Sequence, residues 1–357
     1  MGKATKKNKV VLVMQLQQKN VQPRLDIKAK MALLQMSSGY WISQSLYAVA
    51  KLGIADLLKD GAENYKQLAK ITDTDSQSLY RLLRALASVG IFAEEESGNF
   101  TLTEIAQGLR SDIPESMRDS ILLGGEEYYH AWSNLLYSLK TGENAFEREY
   151  GMPVFDYYSQ NAESGEVFDR AMDNISEAIK PAIVNGYDFS EITTLVDVGG
   201  GNGSLIAAIL KANPHLQGTL FDQPDAIATA ESLLNADQIQ DRCETVEGDF
   251  FESVPSGADA YFLKYILHNW DDDQAIAILR NCYQAMPANG KLLIVEQVIP
   301  PGNEPFSGKL IDLHMLVTLG GRERTAAEYQ SLLEASGFSL NKIIPTRSNV
   351  SIIEGVK

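Results

Sequence analysis

Leu195-Val-Asp-Val-Gly-Gly-Gly-Asn-Gly-Ser-Leu205 reads as a strand that runs straight into a helix through a turn built on Gly199, Gly201 and Gly203. Glycines at such a turn let the main chain approach a ligand, because a side chain there would occupy the ligand's space. Dinucleotide-binding folds open in the same way, so the turn alone does not name the ligand. Two features point away from NAD: Ser204 stands where a dinucleotide fingerprint places its third glycine, and Asp197 sits just before the turn. S-adenosylmethionine carries an ammonium group and no pyrophosphate, so it is served by an acid beside the loop and needs no phosphate cradle.

Outward from this turn, the second half of the chain alternates short apolar strands with helices. The strands are expected at Thr194–Val198, Gln217–Phe221, Glu244–Glu247, Ala260–Leu263 and Lys291–Val298, with helices at Ser204–Ala212 and Gln274–Met286. Such alternation predicts a parallel, doubly wound α/β sheet. Leu340–Pro345 and Val350–Glu354 are joined by only four residues, too few for a crossover, which predicts an antiparallel hairpin at the sheet edge. Asp222 closes the second strand, where a carboxylate accepts hydrogen bonds from ribose hydroxyls. Asp249 and Phe250, after the third strand, suit an adenine amino group and ring, although a turn-capping aspartate would look the same.

The fourth strand leads into Lys264-Tyr-Ile-Leu-His-Asn-Trp-Asp-Asp-Asp-Gln274. Ligands of open α/β sheets bind at the carboxyl ends of the strands, so His268 is placed for chemistry. Methyl transfer to oxygen is an in-line displacement in which the hydroxyl sheds a proton, and a histidine titrating near neutrality is a natural base. Glu296 and Glu328 are the acids expected to orient its ring. Asp271, Asp272 and Asp273 are read as the cap of the following helix, and no metal is expected.

The first half is helical, with apolar residues three and four apart from Ile27 onward. Tyr65–Lys70, Thr74–Leu86 and a hairpin turning at Ser97-Gly98 resemble a winged helix-turn-helix. Yet residues 60–110 hold eight acids and five bases, Glu94, Glu95 and Glu96 occupy the would-be wing, and the whole chain of 357 residues carries a formal charge of -16. These charges argue against a nucleic-acid partner and against the rival reading of a winged-helix regulator that senses the cofactor. The lysines at positions 3 to 9 read as a solvated, disordered end. Two cysteines without framework spacing, no long apolar span and no secretory signal predict a cytoplasmic protein with no membrane partner.

Four linked stretches, Asp197-Val-Gly-Gly-Gly-Asn-Gly, Gly248-Asp-Phe-Phe, Leu263-Lys-Tyr-Ile-Leu-His-Asn-Trp and Gly320-Gly-Arg-Glu-Arg-Thr-Ala-Ala-Glu-Tyr, resemble the small-molecule O-methyltransferases related to plant caffeate and acetylserotonin methyltransferases and to bacterial tailoring enzymes. The resemblance implies a seven-stranded Rossmann-like methyltransferase sheet preceded by a winged-helix dimerisation domain, and a homodimer formed through that domain. It implies S-adenosylmethionine as cofactor, S-adenosylhomocysteine as product, and a small, aromatic acceptor. It assigns His268 as base with Glu296 and Glu328 beside it, and Gly199, Asp222, Asp249, Phe250, Lys264 and Ser176 to the cofactor, joined by Asp197 and Gly201 of the turn. His130, Trp132, Phe155 and Met172 are similar to acceptor-pocket residues, with Asn269 standing where many plant members have aspartate. Similar scaffolds also methylate nitrogen or carry out other tailoring chemistry with the bound cofactor. The expected division is an arm at 1–26, the dimerisation domain at 27–110, a helical linker and pocket segment at 111–190, and the cofactor-binding domain at 191–357.

Overall fold

The computed structural model describes residues 26–357, so the lysine-rich arm lies outside the described residues. Three short strands, β1 (Glu63–Asn64), β2 (Phe92–Glu94) and β3 (Asn99–Leu102), form a small antiparallel sheet in the order β1-β3-β2 beside the N-terminal helices. The helix Ser76–Ser88 begins where the Asp75 side chain accepts the Ser78 N–H at 2.8 Å, and it buries Leu79, Leu83 and Leu86 on one stripe. A separate core forms there around Leu68, Phe92 and Phe100. The first helix, Ile27–Ser37, buries none of its residues, and Met31, Leu33, Leu34, Met36 and Trp41 all face outward.

The second half holds β4 (Thr194–Val198), β5 (Gln217–Asp222), β6 (Cys243–Glu247), β7 (Ala260–Lys264), β8 (Lys291–Glu296), the short pair β9 (Val298–Ile299) and β10 (Arg324–Thr325), then β11 (Ser339–Pro345) and β12 (Ser351–Val356). Seven of these make one sheet, ordered β11-β12-β8-β7-β4-β5-β6. β4, β5, β6, β7 and β8 run parallel, and β12 pairs antiparallel with both β8 and β11, giving the expected edge hairpin. Helices cover both faces, so two apolar cores flank the sheet and the central strands are buried on both sides. Strand order reverses between β4 and β7, which opens a crevice at their carboxyl ends. The glycine turn leaves β4 and the His268 turn leaves β7, so the topology delivers both to that crevice.

The helix Ala162–Val184 ties the halves together, packing on Arg118–Gly125 and on Ser204–Ala212. Among the described residues no helix is long and apolar enough to cross a membrane.

Candidate active site

Gly199, Gly201 and Gly203 all take positive φ, at 70°, 61° and 76°, which explains the glycine choice at the turn. A Cβ on Gly199 would lie 2.5 Å from Ile266 Cδ1, while one on Gly201 would meet nothing within 4 Å, so the space over the loop is open. The Asp222 carboxylate accepts the Gly201 N–H at 2.8 Å and the Gln223 N–H at 2.7 Å, which fixes it at the rim of this space. Beneath the turn, Asp197 is buried and its Oδ2 has no hydrogen-bond partner among the described residues. Burial pushes its carboxyl up, the Lys264 ammonium opposes that, and Asp222 adds to it. Lys264 in turn donates to Ser176 Oγ at 2.7 Å, and burial pulls its ammonium down. Asn202 Nδ2 donates to Asp173 at 2.7 Å, so the loop is also tied to the helix Ala162–Val184. An open cradle, a rim carboxylate and an orphaned acid beneath it fit a nucleoside that carries an ammonium group. Phe250 lies beside Gly199, at 3.6 Å from its built Cβ. Asp249 is exposed, and its Oδ1 accepts the Phe251 N–H at 2.8 Å, so the turn-capping role is real.

His268 sits on the single turn Leu267–Asn269 after β7, with its side chain 13% exposed. Its Nδ1 lies 2.9 Å from Glu323 Oε1 and 3.7 Å from Glu296 Oε2, and its ring stacks on Tyr265. A carboxylate only accepts, so Nδ1 bears the hydrogen and Nε2 keeps its lone pair. Burial pulls the imidazole pKa down, but the Glu296 and Glu323 charges outweigh it and the net shift is upward. Glu296 is buried too, and desolvation with the Glu323 charge raises its carboxyl against the pull of His268. Glu296 Oε2 and Glu323 Oε2 have no hydrogen-bond partner among the described residues.

Glu328 is not beside His268. It completes a capping box with Thr325, accepting the Thr325 N–H at 2.7 Å while Thr325 Oγ1 accepts the Glu328 N–H, and it pairs with Arg322 at 2.9 Å. The second acid of the cluster is Glu323, five residues earlier in the same stretch. Thr325-Ala-Ala-Glu328 is itself the capping-box signature, and it was the signal that should have sent Glu328 to the helix end. Asp271 caps the helix Asp272–Ala285 as expected, accepting the Gln274 N–H at 2.8 Å.

In the pocket segment, Trp132 Nε1 donates to His314 Nδ1 at 3.0 Å, and Tyr128 meets the same imidazole edge-on. Burial and the neighbouring His268 push His314 down to about 4, so it is neutral; the sequence reading missed it. Met172 packs at the margin of the same aromatic core, one residue from Asp173. Asn269 donates to the Tyr265 carbonyl at 3.2 Å and closes the His268 turn. His130 and Phe155 lie farther out: His130 is exposed against the Tyr150 hydroxyl, and Phe155 is 43% exposed against Phe168.

A family model for the O-methyltransferase domain matches residues 132–339, and one for the O-methyltransferase dimerisation domain matches 34–112. The chain belongs to the O-methyltransferase family. It is 49% identical to the phenazine O-methyltransferase PhzM of Lysobacter antibioticus over 90% of this chain and 94% of that one. It is 36% identical to the 8-amino-8-demethylriboflavin N,N-dimethyltransferase of Streptomyces davaonensis, over 87% of this chain and 90% of the relative. Among solved structures, the S-adenosylhomocysteine-bound form of CalO1, a methyltransferase of calicheamicin biosynthesis, superposes with a TM-score of 0.82 at 36% identity, covering 93% of this chain and 99% of that one. This family uses S-adenosylmethionine, so the protein is an S-adenosylmethionine-dependent methyltransferase, and the open cradle over the glycine turn fits that cofactor.

Proposed function

We propose that the protein methylates a hydroxyl of a small aromatic acceptor, with His268 as general base. The observation that carries this reading is the imidazole on the turn that leaves β7, its Nδ1 held by Glu323 at 2.9 Å so that Nε2 is left to take a proton. S-adenosylmethionine supplies an electrophilic methyl group when bound. His268 Nε2 accepts the proton of the acceptor hydroxyl, and Glu323 and Glu296 balance the imidazolium that results. Asp222 and Asp249 are assigned to the nucleoside, Phe250 to its ring, and Asp197, Lys264 and Ser176 to the amino-acid end, where Lys264 and the orphaned Asp197 offer opposite charges. Trp132, His314 and Met172 line the acceptor side.

Nitrogen methylation is favoured by the similarity to two enzymes named for it, the N,N-dimethyltransferase above and, at 31% identity, a phenazine-1-carboxylate N-methyltransferase of Pseudomonas aeruginosa. A neutral amine has its own lone pair and does not depend on a base as a hydroxyl does. Product analysis on matched phenols and anilines, with methyl-labelled cofactor, separates the two: methyl ethers made only with His268 present support the proposal, and N-methyl products made equally well without it overturn it.

We also assign the outward apolar side chains of Met31, Leu33, Leu34, Met36 and Trp41 to a homodimer interface, supported by their exposure and by the dimerisation-domain match. Light scattering on the full chain tests this, with a monomer at micromolar concentration as the contrary result.

A further inference from the structure

The turn that carries His268 is held from outside by one side chain that the proposed chemistry does not use. Arg324, on β10, is the bulkiest fully buried side chain among the described residues, 1% exposed. Its Nη1 donates to the Leu267 carbonyl at 2.9 Å and its Nη2 to the Trp270 carbonyl at 3.0 Å. Nε and Nη2 both reach Asp272 Oδ1, at 2.9 and 2.8 Å. The guanidinium therefore grips the carbonyls on either side of His268 and anchors itself on the first residue of the next helix.

Other contacts also restrain the turn. Tyr265 opens it at φ 55°, a conformation a bulky residue keeps only when its surroundings impose it. The His268 N–H donates to Glu296 at 3.3 Å, and the His268 carbonyl accepts the Arg322 N–H at 2.9 Å. Gly321 is required for that approach, since a Cβ there would stand 2.0 Å from the His268 carbonyl oxygen. Arg322, Glu323 and Arg324 are consecutive, so the segment that supplies the Nδ1 partner also supplies the clamp.

We infer that Arg324 is a positioning residue: its guanidinium fixes the His268 turn so that the imidazole meets Glu323 through Nδ1 and presents Nε2 to the crevice. A planar fork matches two carbonyls and a carboxylate at once, whereas an ammonium is a point donor that cannot span them. The inference concerns the geometry of His268 and rests on the proposed base only for its functional meaning.

The chain has four histidines, His130, His215, His268 and His314, so imidazole nitrogen NMR on the full-length protein resolves the site without any acceptor. The wild type should show His268 as a single Nδ1–H tautomer. In Arg324→Gln that pattern should collapse to an averaged tautomer mixture, while the other three signals stay in place and S-adenosylmethionine affinity stays within about threefold. Arg324→Lys keeps the charge beside Asp272 and should still lose the single-tautomer pattern. The inference is overturned if His268 is unchanged in Arg324→Gln, if lysine restores it fully, or if all four signals and cofactor binding fail together, which would make Arg324 a residue of general stability. Loss of turnover in His268→Ala tests the base separately, so either idea can fail alone.

Discussion

Asp197→Asn separates what the fold tolerates from what the cofactor needs. Asp197 is 2% exposed, its Oδ2 has no hydrogen-bond partner among the described residues, and burial pushes its carboxyl from 3.8 to about 7 despite the opposing pull of Lys264. An acid whose folded pKa lies above its unfolded value costs stability above the unfolded value, and the cost is complete once pH passes the folded one. Here the cost begins near pH 3.8 and is complete near pH 7. At about 1.36 kcal/mol per unit, a rise of roughly 3 units amounts to about 4 kcal/mol at pH 8 and about 2 kcal/mol at pH 5.5. Asparagine removes this term but leaves an amide unpartnered, which returns about 1–3 kcal/mol. The variant without cofactor should therefore gain stability at pH 8 by about 1–3 kcal/mol, and distinctly less at pH 5.5. Saturating S-adenosylmethionine should erase most of that gain at pH 8, since a ligand at about 100 times its Kd stabilises wild type by about 2.7 kcal/mol and the variant has lost the acid assigned to the ammonium. Urea unfolding followed by circular dichroism, at fixed protein concentration, reads all four conditions. Equal stability of the two proteins at both pH values would refute the buried-charge argument; equal stabilisation by cofactor would remove Asp197 from the binding site.

Further outcomes follow from the same geometry. Because the Glu296 and Glu323 charges raise His268 above its ordinary 6.5, and the base must be neutral, kcat/KM should fall with acid through a midpoint above that value. Glu323→Gln removes one of those charges, so its midpoint should move to lower pH; a midpoint that stays put would contradict the pairing. Glu328→Ala should lose about 1 kcal/mol of stability through its helix cap and move the same midpoint less than Glu323→Gln does, as read from thermal unfolding and the pH profile together. Gly321→Ala forces a Cβ to 2.0 Å from the His268 carbonyl oxygen, so activity should drop about 100-fold; turnover at the wild-type rate would show that the turn yields freely.

The sheet was legible because its signals are local. Three glycines at positive φ mark the β4 turn, apolar runs mark strands buried on both faces, and a four-residue link allowed nothing but a hairpin. The placement of Asp222 and His268 was legible because one ends a strand and the other follows one, on the side of the sheet where the crevice must open. The partner of His268 was not, because Glu323 and Glu328 sit on one short stretch and only the path of β10 decides which of them turns inward. His314 and Arg324 were missed for a similar reason. One sits on a helix whose pattern reads as core, and the other matters through main-chain carbonyls that no sequence pattern displays.

His268→Ala is the most direct test of the central claim. Titration calorimetry with S-adenosylmethionine and turnover of a methylatable phenol, measured on one preparation, should show cofactor affinity held within about twofold and kcat reduced by roughly 10²-fold or more. A variant that binds cofactor normally and methylates the phenol at the wild-type rate would contradict the account.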